Sequence, residues 1–144
     1  MWLSGASLSE AILTNAKLIR INLAASDLSF ADLRGVDLGS ANLVGADLSG
    51  VDLTDANLAD ANLTGANLTA ASLLDANLSN ANLTGANLRA ADMQGASLQD
   101  ADLSDAEVTL VDLSDVEFLT DAQVAGMRWD PDFPPLGLRP SKSS

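Results

Sequence analysis

The chain has 144 residues, 47% apolar and 19% charged, a balance that suits one globular domain and leaves no second domain to find. Cysteine and histidine are both absent, which excludes disulfides, cysteine-based zinc sites and imidazole general bases. The net charge of −13 disfavours direct contact with nucleic acid or anionic lipid and favours a basic partner.

From Leu3 the chain falls into five-residue phrases, and the register holds to Phe118: 24 phrases, 21 of them centred on Leu, with Met93, Val108 and Phe118 as the others. Leucines five apart would scatter around a helix that turns about 100° per residue. In a flat strand, whose side chains alternate with period two, an odd spacing would throw them to opposite faces. What satisfies the spacing is a chain that turns one corner per phrase and aims every centre at a common axis, a solenoid. Two residues before each centre stands a second inward position, Ala in 17 of the 24 phrases. Small and large side chains then fill a narrow interior, with Leu23, Leu43, Leu63 and Leu83 and the alanines Ala41, Ala61 and Ala81 as its expected core ladder.

The first coil, residues 1–20, is the least regular, with Trp2, Ile12 and Ile19 at positions that elsewhere carry polar residues. They read as an apolar collar over the coil's own core, since terminal repeats are commonly atypical. A sharper alternative is a contact surface, because an open strand edge invites pairing with a second copy. Lys17, Arg20 and Arg34 form the only basic cluster of the repeat and read as partners of nearby acids on a solvated face.

The residue before each centre sets the number of sides. Asn22, Asn42, Asn62 and Asn82 recur twenty apart, while Asp32, Asp52, Asp92 and Asp112 recur at the same period on the opposite side. A fifteen-residue coil would mix the two types. Four phrases per turn follow, giving about six coils and a rod about 29 Å long at about 4.8 Å per stacked strand. The asparagines are expected to hydrogen-bond to one another in a ladder.

The tandem phrase A-[DN]-L-x-x, as in Ala41-Asn42-Leu43-Val44-Gly45 and Ala61-Asn62-Leu63-Thr64-Gly65, resembles the pentapeptide repeat family from Met1 to about Thr120. That resemblance implies an all-β fold, a right-handed quadrilateral parallel β-helix with Leu and Ala inward. It also implies that a specific function is unassigned for most members. Some members act as duplex mimics that bind type II topoisomerases, and these often place Phe at centres, whereas Phe118 stands alone here.

The acidic side comprises Asp32, Asp52, Asp92 and Asp112, with Asp55, Asp75 and Asp115 at the following corner. A solvated surface is its default reading. A divalent-cation site would suit oxygen ligands, but no D-x-[DN]-x-[DN]-G loop is present. Duplex mimicry would need about 17 charges over this rod's length, close to the total here, though spread over four faces. Paired acids alone do not make a glycosidase, which needs a cleft and one raised pKa, and uniform phrases leave no loops to build one. No catalytic residue, cofactor or metal is therefore assigned.

The domain plan is a repeat over 1–119, a helix over 120–127 and a proline-rich tail over 128–144. Thr120-Asp121-Ala122-Gln123 matches a capping box, and the short helix it starts is expected to close the core. All four prolines lie in the last 14 residues, so that tail is expected to be extended or disordered. Trp129 and Phe133, which resemble the W-P-x-x-F segment after the repeats of many members, are expected to fold back over the last coil. The repeat register begins at Met1 and no apolar run is long enough to span a membrane, so a cytoplasmic protein without membrane contact is expected.

The reading that follows is a non-catalytic solenoid that binds a protein partner or acts as a rigid spacer. The alternative is an acidic DNA mimic that binds a type II topoisomerase such as gyrase.

Overall fold

The computed structural model describes residues 1–138. Parallel bridges join residue i to residue i+20 without exception from Trp2–Asn22 to Ser97–Glu117. Each turn of the chain therefore has four sides and twenty residues, and like columns of outward residues lie ten positions apart on opposite sides.

Four backbone bonds recur from phrase to phrase through the middle coils. The centre and corner amides donate to the next coil, as in Leu23 N to Asn42 O at 2.8 Å and Ala25 N to Val44 O at 2.9 Å. The outward residue's amide donates to the previous coil, as in Asn42 N to Ile21 O at 2.9 Å. The corner itself closes through Ser26 N to Leu23 O at 3.1 Å, a four-residue turn.

Every fifth residue from 5 to 115 has a φ between 54° and 72°. This left-handed region suits Gly, Asn and Asp, and those three types fill most of the corners. The acids Asp55, Asp75 and Asp115 stand at such corners, so their short side chains serve the backbone as well as the surface charge.

The interior is one continuous column of Leu and Ala. Leu23, Leu43, Leu63 and Leu83 are buried, and Ala41, Ala61 and Ala81 are buried between them. Burial is complete from the second coil to Leu113, whereas Leu3, Leu8, Leu13 and Leu18 in the first coil are only half-buried. Trp2 and Ile12 are 82% and 79% exposed, and Ile19 is exposed too. They form no collar over the coil's own core. Side chains at these outward and corner positions leave the sides of the rod and cannot reach across its end.

The regular register stops one phrase earlier than its spelling. Phe118 has a φ of 62° and is 59% exposed, while its neighbour Leu119 packs against the core. The chain then enters helix α1, Asp121–Gly126, with Thr120 as N-cap. Thr120 Oγ1 accepts from Gln123 N at 3.2 Å, and Gln123 Oε1 accepts from Thr120 N at 2.8 Å. Gln123 Nε2 donates to the carbonyls of Leu98 and Ala101 at 2.7 and 3.0 Å, which ties the helix to the coil beneath it.

The tail beyond α1 is extended where it pairs with the last coil, at Arg128 and Leu136. Residues 128–138 are neither free nor disordered, because Arg128 bridges Glu107 and Leu136 bridges Asp112. The offsets are 21 and 24 instead of 20. α1 and the Asp130–Pro134 turn absorb the surplus residues, so that Met127 and Pro135 are buried above Ala106 and Val111. Gly137 makes the second contact possible, since a Cβ there would lie 2.6 Å from Ser114 N. Trp129 packs against the core, but Phe133 remains 50% exposed. Its backbone is part of the Asp130–Pro134 turn, and its carbonyl accepts from Leu110 N at 3.2 Å. The tail expectation also covered residues 139–144, which lie outside the described residues.

Candidate interaction surface

All sixteen Asn and Asp residues at outward positions from 22 to 112 make the same bond: Oδ1 accepts from the backbone amide two residues on. Examples are Asn22 to Ala24 N at 3.0 Å, Asn62 to Thr64 N at 3.1 Å, Asp52 to Thr54 N at 3.0 Å and Asp112 to Ser114 N at 2.9 Å. Where Ser or Thr follows the centre, its hydroxyl often donates to the same oxygen, at 2.6 Å from Ser49 to Asp47. The side chain thus supports its own corner as an Asx turn.

This replaces the expected asparagine ladder. Asn22, Asn42, Asn62 and Asn82 make no bonds to one another, and each carboxamide oxygen instead accepts from an amide in its own phrase. Among the described residues, one carboxamide crosses between coils to another outward side chain, Asn57 Nδ2 donating to Asp37 Oδ1 at 3.0 Å.

Asn and Asp therefore do the same structural job, and they differ only in what the second atom offers to solvent. That atom is a neutral amide on the Asn22, Asn42, Asn62 and Asn82 side. It is a carboxylate oxygen on the Asp32, Asp52, Asp92 and Asp112 side, with Asp27 and Asp47 on the adjoining face. The column on the acidic side is broken once, by Ser72.

Three of the outward carboxylates are favoured in their charged form by the donors beside them. Asp27 and Asp102 lie below the ordinary carboxylate range because the hydroxyl, and then the amide, of Ser29 or Ser104 donates to them. Asp32 is lowered too, first by its bond from Arg34. Arg34 Nη2 lies 2.7 Å from Asp32 Oδ2, and its Nε is 3.9 Å from Asp52 Oδ2. This pair neutralises part of the acidic side at its N-terminal end. Among the described residues, no three carboxylates converge where a metal ion could be held.

Sequence reasoning missed one surface feature. Phe30, at the corner between the Asp27 and Asp32 faces, is 66% exposed and its ring lies over Gly50. Its place at the fifth position of a phrase was the available signal, because that position faces away from the core.

Among solved structures, the chain resembles HetL, a pentapeptide repeat protein involved in heterocyst differentiation regulation from the cyanobacterium Nostoc sp. strain PCC 7120. Identity is 40% and the TM-score is 0.66 over 81% of this chain, which spans 53% of HetL's length. A pentapeptide repeat protein of the Arabidopsis thaliana thylakoid lumen is 32% identical over 85% of this chain and 74% of its own, with a TM-score of 0.49. Full-length QnrB1, a plasmid-mediated fluoroquinolone resistance protein, shares the fold at 22% identity and a TM-score of 0.52, covering 91% of this chain and 80% of its own. No curated protein matches the chain. The model for pentapeptide repeats matches eight copies over residues 3–39, 31–69 and 71–115. With that match spanning most of its length, the chain belongs to the pentapeptide repeat family.

Proposed function

We propose that this protein is a non-catalytic interaction solenoid of six twenty-residue coils over residues 1–120, closed at its C-terminal end by α1 and the segment after it. Its aspartate-bearing side receives a cationic protein partner. The observation that carries this reading is the sorting of Asn from Asp. Either residue supplies the oxygen that the corner requires, so turn chemistry gives no reason for the column of Asp32, Asp52, Asp92 and Asp112 to hold no Asn. Sorted carboxylates, each held by its own turn, form an acceptor array whose ordering cost is met before binding.

The reading is tested by affinity capture with the wild-type chain and with a variant carrying Asp52→Asn, Asp92→Asn and Asp112→Asn. The substitutions keep each Oδ1, so the fold is expected to survive. A partner held by the wild type and released by the triple variant supports the proposal, and equal retention refutes it.

Duplex mimicry toward a type II topoisomerase is the competing reading, supported by acids repeating at the coil spacing. Against it stands the Asn22, Asn42, Asn62 and Asn82 column, which carries no charge until Asp102 and so leaves most of one wall without the charge a duplex would show. Inhibition of gyrase supercoiling at micromolar protein would favour mimicry. Self-association through the first coil is supported by its half-buried leucines and by its charge, two bases and one acid in residues 1–20 on an otherwise acidic rod. A sedimentation coefficient that stays constant with concentration would exclude it.

A further inference from the structure

Left-handed corners favour short side chains, and Phe30 breaks that preference with a φ of 58° and a largely exposed phenyl ring. The ring has a seat. Gly50 occupies the same corner one coil on, and a Cβ there would meet Phe30 Cδ1 and Cε1 at 2.5 Å. A bulky ring in an unfavourable backbone setting, received by a residue small enough to admit it, presents an aromatic surface to solvent without adding to the core.

Charge surrounds this ring on both sides. Asp27 and Asp47 stack on one adjoining face, and Asp32 and Asp52 on the other. All four use Oδ1 for their own turns, which leaves Oδ2 facing outward. Arg34 takes the Oδ2 of Asp32, whereas Asp27 and Asp47 have no cationic partner among the described residues. The corner continues through Ala70 and Ala90 to Leu110, with Arg89 just before Ala90.

The geometry points to this corner as the seat of an arginine-bearing segment of the protein partner, with a guanidinium over the Phe30 ring and flanking carboxylates beside it. A guanidinium suits the site better than an ammonium, because its plane stacks on an aromatic face while its fork of donors reaches carboxylate oxygens. The assignment deepens the proposed function and rests on it.

The test uses labelled octa-arginine and octa-lysine, peptides of equal charge, in fluorescence anisotropy with the full chain at low salt. The wild type is expected to prefer octa-arginine by about threefold, the scale of one exposed cation–π contact. Phe30→Ala places at this corner the residue already found at Ala70, so the fold is kept and the preference is lost. Gly50→Ala displaces the ring and loses the preference as well. If Phe30→Ala keeps the preference, or if Asp75→Asn at the next corner abolishes it, the assignment is overturned. Unselective binding of both peptides by the wild type refutes the seat while leaving the acidic side a receiver of cations. If the folded chain binds neither peptide, the proposed function fails with it.

Discussion

At Asp27 one carboxylate performs two tasks with two oxygens. Oδ1 accepts from the amide and hydroxyl of Ser29 at 3.0 and 2.6 Å, and the pKa falls below the ordinary value as a result. A lowered folded-state pKa adds stability that is present above the unfolded value of about 3.9 and lost as the pH falls through the folded value. Ser29→Ala removes the largest cause of the shift. The Asp27 midpoint in a carboxyl NMR titration is therefore expected to rise, and stability measured in urea is expected to fall less steeply below about pH 4. Inside the rod the controlling quantity is volume. Leu63 is fully buried, so Leu63→Ala is expected to cost about 2–5 kcal/mol, read as a lower urea midpoint. Leu8→Ala in the half-covered first coil is expected to cost clearly less.

Helix α1 is six residues long, too short to hold itself together by backbone bonds alone. Its order comes from Gln123, which completes the capping box and also donates to two carbonyls of the coil below. Gln123→Ala is expected to lower stability by about 1–3 kcal/mol and to reduce protection of the Met127 and Arg128 amides from hydrogen exchange. The helix start was legible because a capping box is local, written in Thr120 and Gln123 themselves. The twenty-residue turn was legible because Asn and Asp columns separate only at that period. The pairing of Arg128 and Leu136 was not, since it depends on how an irregular segment spans the last coil and proline content alone suggested a loose tail. Phe118 misled for a related reason: its spacing continues the leucine pattern, but no further coil follows to enclose it. At the candidate surface, the charge on each side could be read from the sequence. The commitment of every Oδ1 to its own corner could not, because Asx turns and side-chain ladders draw on the same residues.

Across the molecule, phrases are interchangeable in the core while their positions on the outside are not. Deleting residues 61–65 keeps every later leucine at an inward place, and cooperative thermal unfolding by circular dichroism is expected to persist. Deleting Ala61 alone slides all later leucines off the axis and is expected to abolish that transition. The five-residue deletion also rotates every later phrase by one side, so it separates the charge pattern from the fold. That pattern has a physical consequence of its own. With carboxylates along one wall and amides along most of the wall across the axis, where Asp102 ends the column, the rod carries a transverse electric moment. In the field of a positively charged surface it would roll about its long axis until the aspartates lead, selecting its landing side before contact.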